Sequence, residues 1–126
     1  MELTVKIKQK DSGTVTVSPI GSLDSETYRL LDAEIGGVLA EQIETLVLDL
    51  AGVDFITSSG VGAITKAKTI LNQRGADLAM INLQPQVEKV FEIMDMLPML
   101  NVFANTEELD EYLGKVQRRI TGEEEI

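Results

Sequence analysis

The sequence predicts an α/β domain with a mixed sheet, in which an N-terminal β-hairpin leads into alternating helices and strands. Apolar and polar residues alternate at the start of the chain, as in strands with one buried face. Leu46-Val47-Leu48, with Leu50 beyond Asp49, makes a short aliphatic run suited to a strand buried on both faces. Further on, apolar residues recur at helical spacing in stretches separated by more short aliphatic runs. With 126 residues, 44% hydrophobic and 4% aromatic, the chain fits one domain whose core is aliphatic and methionine-rich rather than built on rings. The domain is expected over 1–121, with 122–126 as an acidic tail.

In order, Leu3, Val5 and Ile7 alternate with Thr4, Lys6 and Lys8 and predict an edge strand. Asp11-Ser12-Gly13 supplies a turn, and Val15, Val17 and Ile20 continue the alternation, so the first two strands form a hairpin that Pro19 and Gly21 close. Asp24 or Ser25 can cap a helix bearing Tyr28, Leu31, Ile35 and Val38 or Leu39 on its apolar face, with Gly36-Gly37 weakening its end. After the Leu46 run, Ala51 to Asp54 predicts a turn, and Phe55 and Ile56 return to the core. Thr57, Ser58 and Ser59 then precede a helix opening with Gly60-Val61-Gly62 and ending near Gly75. Asp77 to Ile81 is the next buried strand. Pro85 suits the first position of a helix with Val87, Val90, Phe91 and Met94 inward. The methionines from Met94 to Met99 are expected to fill core gaps. Leu100, Val102 and Phe103 give a short strand. Asn105 and Glu108 make a capping arrangement for a last helix with Leu109, Leu113, Val116 and Ile120 as its stripe.

Two hydroxyls at a helix entrance are chemically informative. A side-chain oxygen there can cap free backbone N–H groups, and an added phosphate meets the positive end of the helix dipole. The segment Asp54-Phe-Ile-Thr-Ser-Ser-Gly-Val-Gly62, following the Leu-Asp-Leu strand, resembles the phosphorylation loop of bacterial anti-sigma factor antagonists. These are the single-domain members of the STAS (sulphate transporter and anti-sigma factor antagonist) superfamily, whose pattern is roughly Asp-Ser-Ser/Thr-Gly-Leu-Gly. The resemblance implies that Ser58 is the phosphorylated residue, with Ser59 as second choice. It departs at Thr57, which stands where the family has an acidic residue. Gly-x-Leu-Asp at Gly21 to Asp24 also resembles the antagonists and implies that Asp24 lies near the loop. The partner-binding surface so implied comprises Asp24, Asp54, Thr57, Ser58, Ser59, Gly60 and Gly62. Ser59 is expected to cap the helix, although either hydroxyl has the chemistry to cap or to be modified.

The implied function is that of an anti-sigma factor antagonist. Its unphosphorylated form would bind a serine-kinase anti-sigma factor and free the sigma factor, phosphorylation of Ser58 would end the binding, and a PP2C-type phosphatase would restore it. The alternative is a STAS docking module of a transporter or signalling assembly that is never phosphorylated.

Composition removes other classes. The chain has no histidine and no cysteine, so imidazole- or thiol-based catalysis and imidazole or thiolate metal sites are excluded. Asp49 and Asp54 are the one conceivable carboxylate pair, but a mid-strand position and a turn position account for them. No catalytic residue, metal or cofactor is therefore expected. A receiver domain would need an acidic pair after its first strand and a lysine after its last, where Lys8-Gln9-Lys10 and Phe103-Ala104-Asn105 stand. A net charge of −10 argues against nucleic acid as partner. No apolar run approaches the ~20 residues of a membrane span, and the N-terminus lacks the pattern of a signal peptide, so a cytoplasmic location is expected. Oligomeric state has no signal in the sequence.

Overall fold

The structure, a computed structural model, describes residues 2–121, with side chains described through Lys115; Val116, Ile120 and the acidic tail fall outside the residues so described. Strands β1 (Leu3–Asp11) and β2 (Thr14–Leu23) form the antiparallel hairpin. There follow α1 (Tyr28–Leu39), β3 (Thr45–Asp49), β4 (Val53–Ile56), α2 (Ser58–Gln73), β5 (Asp77–Ile81), α3 (Pro85–Ile93), β6 (Asn101–Phe103) and α4 (Thr106–Thr121). The sheet order is β1-β2-β3-β5-β6, with β4 attached to β2, and every pairing after the hairpin is parallel. The expected mixed sheet is therefore present, with one strand more than the sequence predicts.

That strand is β4. Val53 to Ile56 was expected to finish a turn and re-enter the core, but it pairs with the far half of β2, Leu23 lying beside Ile56. The physical reason lies in β2, which runs on through Pro19 and Gly21 instead of closing there. Its first half pairs with β3 over Thr14 to Val17, and the second half needs another neighbour for its backbone groups. β4 supplies it, at the cost of a register shift between Gly21 and Ser22. Gly21 sits at φ 124°, and a Cβ there would lie 2.3 Å from the Glu2 carbonyl oxygen, so the continuation requires glycine. Phe55 consequently stays half exposed rather than entering the core, whereas Ile56 is buried as expected.

Alternation along β3 and β5 divides the apolar residues between two faces. Leu46, Leu48, Leu78 and Met80 join Leu31 and Ile35 of α1, Val61 and Ile64 of α2 and Val87 and Phe91 of α3 in the main core. Val47, Ala79 and Ile81 pack with Leu109 of α4 in a smaller cluster. At the sheet edge, Lys6 and Lys8 of β1 are exposed, which discourages pairing with another strand, and Lys10 reaches Asp110 of α4 at 3.1 Å. Met94 and Met96 pack against the main core as expected, but Met99 is exposed. It follows Pro98 in a 3-10 turn, Leu97–Met99, that lifts it off the core. The start of α4 matches expectation: Asn105 Oδ1 accepts the Glu108 N–H at 3.0 Å, and Glu108 Oε1 accepts the Ala104 N–H at 3.2 Å.

Candidate functional site: the β2–β4 strand ends and the start of α2

The site is assembled by backbone. The Gly21 N–H donates to the Gly52 carbonyl and the Thr57 N–H to the Leu23 carbonyl, both at 2.9 Å. These bonds clamp the β4 strand, from its leading turn to its exit, along the end of β2. Thr57 leaves in an extended conformation, φ −111° and ψ 175°, and its carbonyl accepts the first helical bond from Val61 N–H at 3.0 Å. Thr57 is thus the N-cap residue, and Ser58 and Ser59 are the first two residues of α2. The expectation that Ser59 caps the helix is corrected here: as the second residue of α2, two positions past the cap, it is too far along to serve. No side chain takes that role, and Thr57 Oγ1 is buried without a hydrogen-bond partner among the described residues. Ser58 is exposed and Ser59 half buried.

Replacing Thr57 by valine keeps the shape and removes that unpaired hydroxyl. Thr57→Val is expected to raise stability by about 1 kcal/mol, read as a shifted urea midpoint at constant slope. Valine is normally a poor cap, but here there is no side-chain cap to lose.

The two glycines differ. A Cβ on Gly60 would lie 2.8 Å from Ile56 Cγ1, 2.9 Å from the Leu23 carbonyl oxygen and 3.0 Å from Leu23 Cβ, so α2 touches the strand ends at this point. A Cβ on Gly62 would meet nothing within 4 Å. Gly62 instead faces an open groove of about 630 Å³ between α1 and α2, lined also by Tyr28, Arg29, Asp32, Ser59 and Lys66.

Asp24 closes the site from the β2 side. Its Oδ1 accepts the N–H groups of Glu26 at 2.9 Å and Thr27 at 3.0 Å, and its carbonyl accepts the Tyr28 N–H at 3.0 Å, so it holds the turn that leads into α1; the N-cap residue of that helix is Thr27, three residues on, rather than Asp24 or Ser25 as the sequence suggested. Thr27, which is buried, completes a reciprocal box: its Oγ1 accepts the Asp24 N–H at 3.0 Å and donates to the Ser22 carbonyl at 2.6 Å. Sequence reasoning missed Thr27, although an Asp with a Thr three residues on is a visible capping pattern. Donation by Glu26 N–H holds the Asp24 carboxyl below the usual carboxylate range; desolvation opposes this and the Thr27 bonds assist it. A carboxyl whose pKa falls on folding stabilises the protein above its unfolded value and loses that contribution as pH drops through the folded one. Asp24→Asn retains the acceptor and removes the charge. Wild type is therefore expected to melt above Asp24→Asn at pH 7, with the gap closing below about pH 3.9.

Asp54 stands apart from the helix entrance. Its Oδ1 accepts the Ser22 hydroxyl at 3.2 Å, and its carbonyl accepts Gln86 Nε2 of α3 at 3.2 Å. Asp49 is used in its own turn, where Oδ1 accepts the Ala51 N–H at 3.0 Å and Asn82 Nδ2 at 3.2 Å. Among the described residues no cluster of acidic groups could hold a metal ion, and no helix is long and apolar enough to cross a membrane. The structure thus gathers Asp24, Thr57, Ser58, Ser59 and Gly60 at the joined ends of β2 and β4, sets Asp54 on their flank, and turns Gly62 toward the groove.

A mixed sheet opened by this antiparallel hairpin and continued by parallel strands places the chain among mixed α/β domains. The STAS domain family matches residues 5–109, and the chain belongs to that family. The Anti-sigma F factor antagonist of Paenibacillus polymyxa is 26% identical over 94 residues, which are 74% of this chain and 80% of that protein. BtrV of Bordetella bronchiseptica is 31% identical over 108 residues, 86% of this chain and 90% of its own length. The anti-sigma factor antagonist SpoIIAA superposes in its unphosphorylated form with a TM-score of 0.74 at 21% identity, covering 88% of this chain and 97% of that one. The phosphorylated form of SpoIIAA, from Bacillus, superposes with a TM-score of 0.67 at 21% identity over 86% and 99% of the two chains.

Proposed function

We propose that this protein is an anti-sigma factor antagonist that acts by binding and has no catalytic role. Unphosphorylated, it binds a serine-kinase anti-sigma factor and releases the sigma factor; phosphorylation of Ser58 ends the binding, and a PP2C-type phosphatase restores it. The cycle runs in the cytoplasm. The observation that carries this reading is the placement of Ser58: exposed, first in α2, directly after a segment held by backbone bonds. A kinase can reach that hydroxyl without opening the fold. The similarity to proteins named as anti-sigma factor antagonists supports the partner class.

The switch follows from charge. A phosphate brings ~1.5 to 2 negative charges and a tetrahedral group to the helix start, where the dipole tolerates it. An interface formed around a neutral hydroxyl would have to bury that charge unpaired. The test is capture from host lysate with added ADP, comparing wild type with Ser58→Asp and mapping phosphate on the recovered wild-type protein. Loss of a bound ATPase of the kinase class on the Asp variant, with phosphate on Ser58 of wild type, is the expected result. Retention of the same partners by both baits, or of transporter components instead, would replace it with the docking-module reading.

A further inference from the structure

The groove between α1 and α2 begins at Ser59, beside the proposed switch residue, and runs down to Lys66. Its floor is open at Gly62, where a Cβ would meet nothing within 4 Å beyond the backbone of its own helix. Glycine in the first turns of a helix weakens it relative to alanine, and here no internal contact requires it. The space is therefore available to something outside the chain. Of the charged groups on the walls, Lys66 is paired with Asp32 at 3.1 Å. Arg29 donates from Nε to the Tyr28 hydroxyl at 3.2 Å, with its guanidinium carbon 5.7 Å from the Tyr28 ring centre, and forms no ion pair among the described residues. The groove thus presents an uncompensated, always-charged cation on a protein of net charge −10, adjacent to the surface that holds Ser58.

We propose that this groove is a second contact for the partner that docks at Ser58, and that it receives a carboxylate-bearing side chain of that partner. The carboxylate pairs with the Arg29 guanidinium, and the stem of the side chain lies over Gly62. The inference rests on the partner-binding reading above and deepens it: Ser58 reports the phosphorylation state, while the groove selects which partner is bound. A guanidinium held through Nε by the Tyr28 hydroxyl keeps its terminal N–H groups for a planar carboxylate and opposes a basic side chain at the same place.

The experiment places wild type, Ser58→Asp, Arg29→Glu, Gly62→Leu and Lys8→Glu side by side in the ADP-supplemented lysate, quantifying the bound ATPase and the melting temperature of each bait. Lys8→Glu makes the same charge change on the exposed face of β1 and controls for net charge. The expected result is at least about tenfold less ATPase on Arg29→Glu and Gly62→Leu, with Lys8→Glu unchanged. Gly62→Leu should melt at or above wild type, because leucine is the better helix former, so its loss of binding cannot be attributed to misfolding. Full retention by Arg29→Glu and Gly62→Leu, with loss on Ser58→Asp, overturns the groove and leaves the switch standing. Loss on the groove variants with retention by Ser58→Asp supports the groove and removes Ser58 from the interface. If wild type captures no such ATPase, both inferences fall together.

Discussion

Ser58→Asp is expected to weaken binding of the anti-sigma kinase by about 100-fold or more, while leaving the free protein at least as stable as wild type. The two effects have opposite signs because the same charge meets different surroundings. In the free protein, the new carboxylate sits at the first residue of α2, beside N–H groups that have no helical acceptor. A negative charge there is favourable by about 0.3–1 kcal/mol. In the proposed complex it would lose water and face a surface fitted to a hydroxyl. An uncompensated buried charge costs about 3–5 kcal/mol, and each 1.4 kcal/mol is a factor of ten in affinity. A phosphate, with its larger charge, should exceed the aspartate. Titration calorimetry with the purified kinase, beside thermal melts of the free proteins, reads both signs. A variant that lost binding and stability together would indicate a damaged loop rather than a switch.

Gly60→Val is expected to lower stability by about 3 kcal/mol or more, a large part of the ~5–15 kcal/mol that holds a domain of this kind together. The position is crowded by groups that cannot yield. The Leu23 carbonyl oxygen, 2.9 Å from where a Cβ would stand, belongs to β2 and already accepts the Thr57 N–H. To admit a side chain, α2 must lift from the strand ends and break that bond. Gly60→Ala should cost about 1–2 kcal/mol despite the better helix propensity of alanine, and Gly62→Ala should instead stabilise by about 0.5–1 kcal/mol. Urea unfolding of the three variants would show the order directly. Equal effects of alanine at the two positions would mean that Gly60 does not set the approach of α2 to the sheet.

That contrast also marks where the sequence stops being legible. Gly60 and Gly62 look alike in Ser-Gly-Val-Gly, and only their neighbours in space separate them. The hairpin was readable from its apolar alternation, although Ile7 and Ile20 stay exposed; β3 and β5 were readable as unbroken aliphatic runs, and the helix faces from apolar residues at helical spacing. Asp24 was readable because its bonds go to residues two and three positions away. β4 was not, since Val53-Asp54-Phe55-Ile56 is short and its strand character depends on the far half of β2 lacking another partner. Ser59 was assigned as cap because the sequence alone cannot say where the backbone turns from extended to helical. The structure puts that change at Thr57, the residue at which the loop departs from the family pattern. The Arg29 groove could not be foreseen, because it needs two helices that are remote in sequence to lie side by side.

The clamp between β2 and the β4 loop has a consequence for how such proteins diversify. Main-chain atoms form the hydrogen bonds that hold the loop in place, Gly21 N–H to Gly52 and Thr57 N–H to Leu23. The side chains of Ser58, Arg29 and Asp32 are not needed to define its path. Mutation can therefore redraw the outer surface without moving the platform beneath it, so a duplicated copy can acquire a new client in small steps and stay folded throughout.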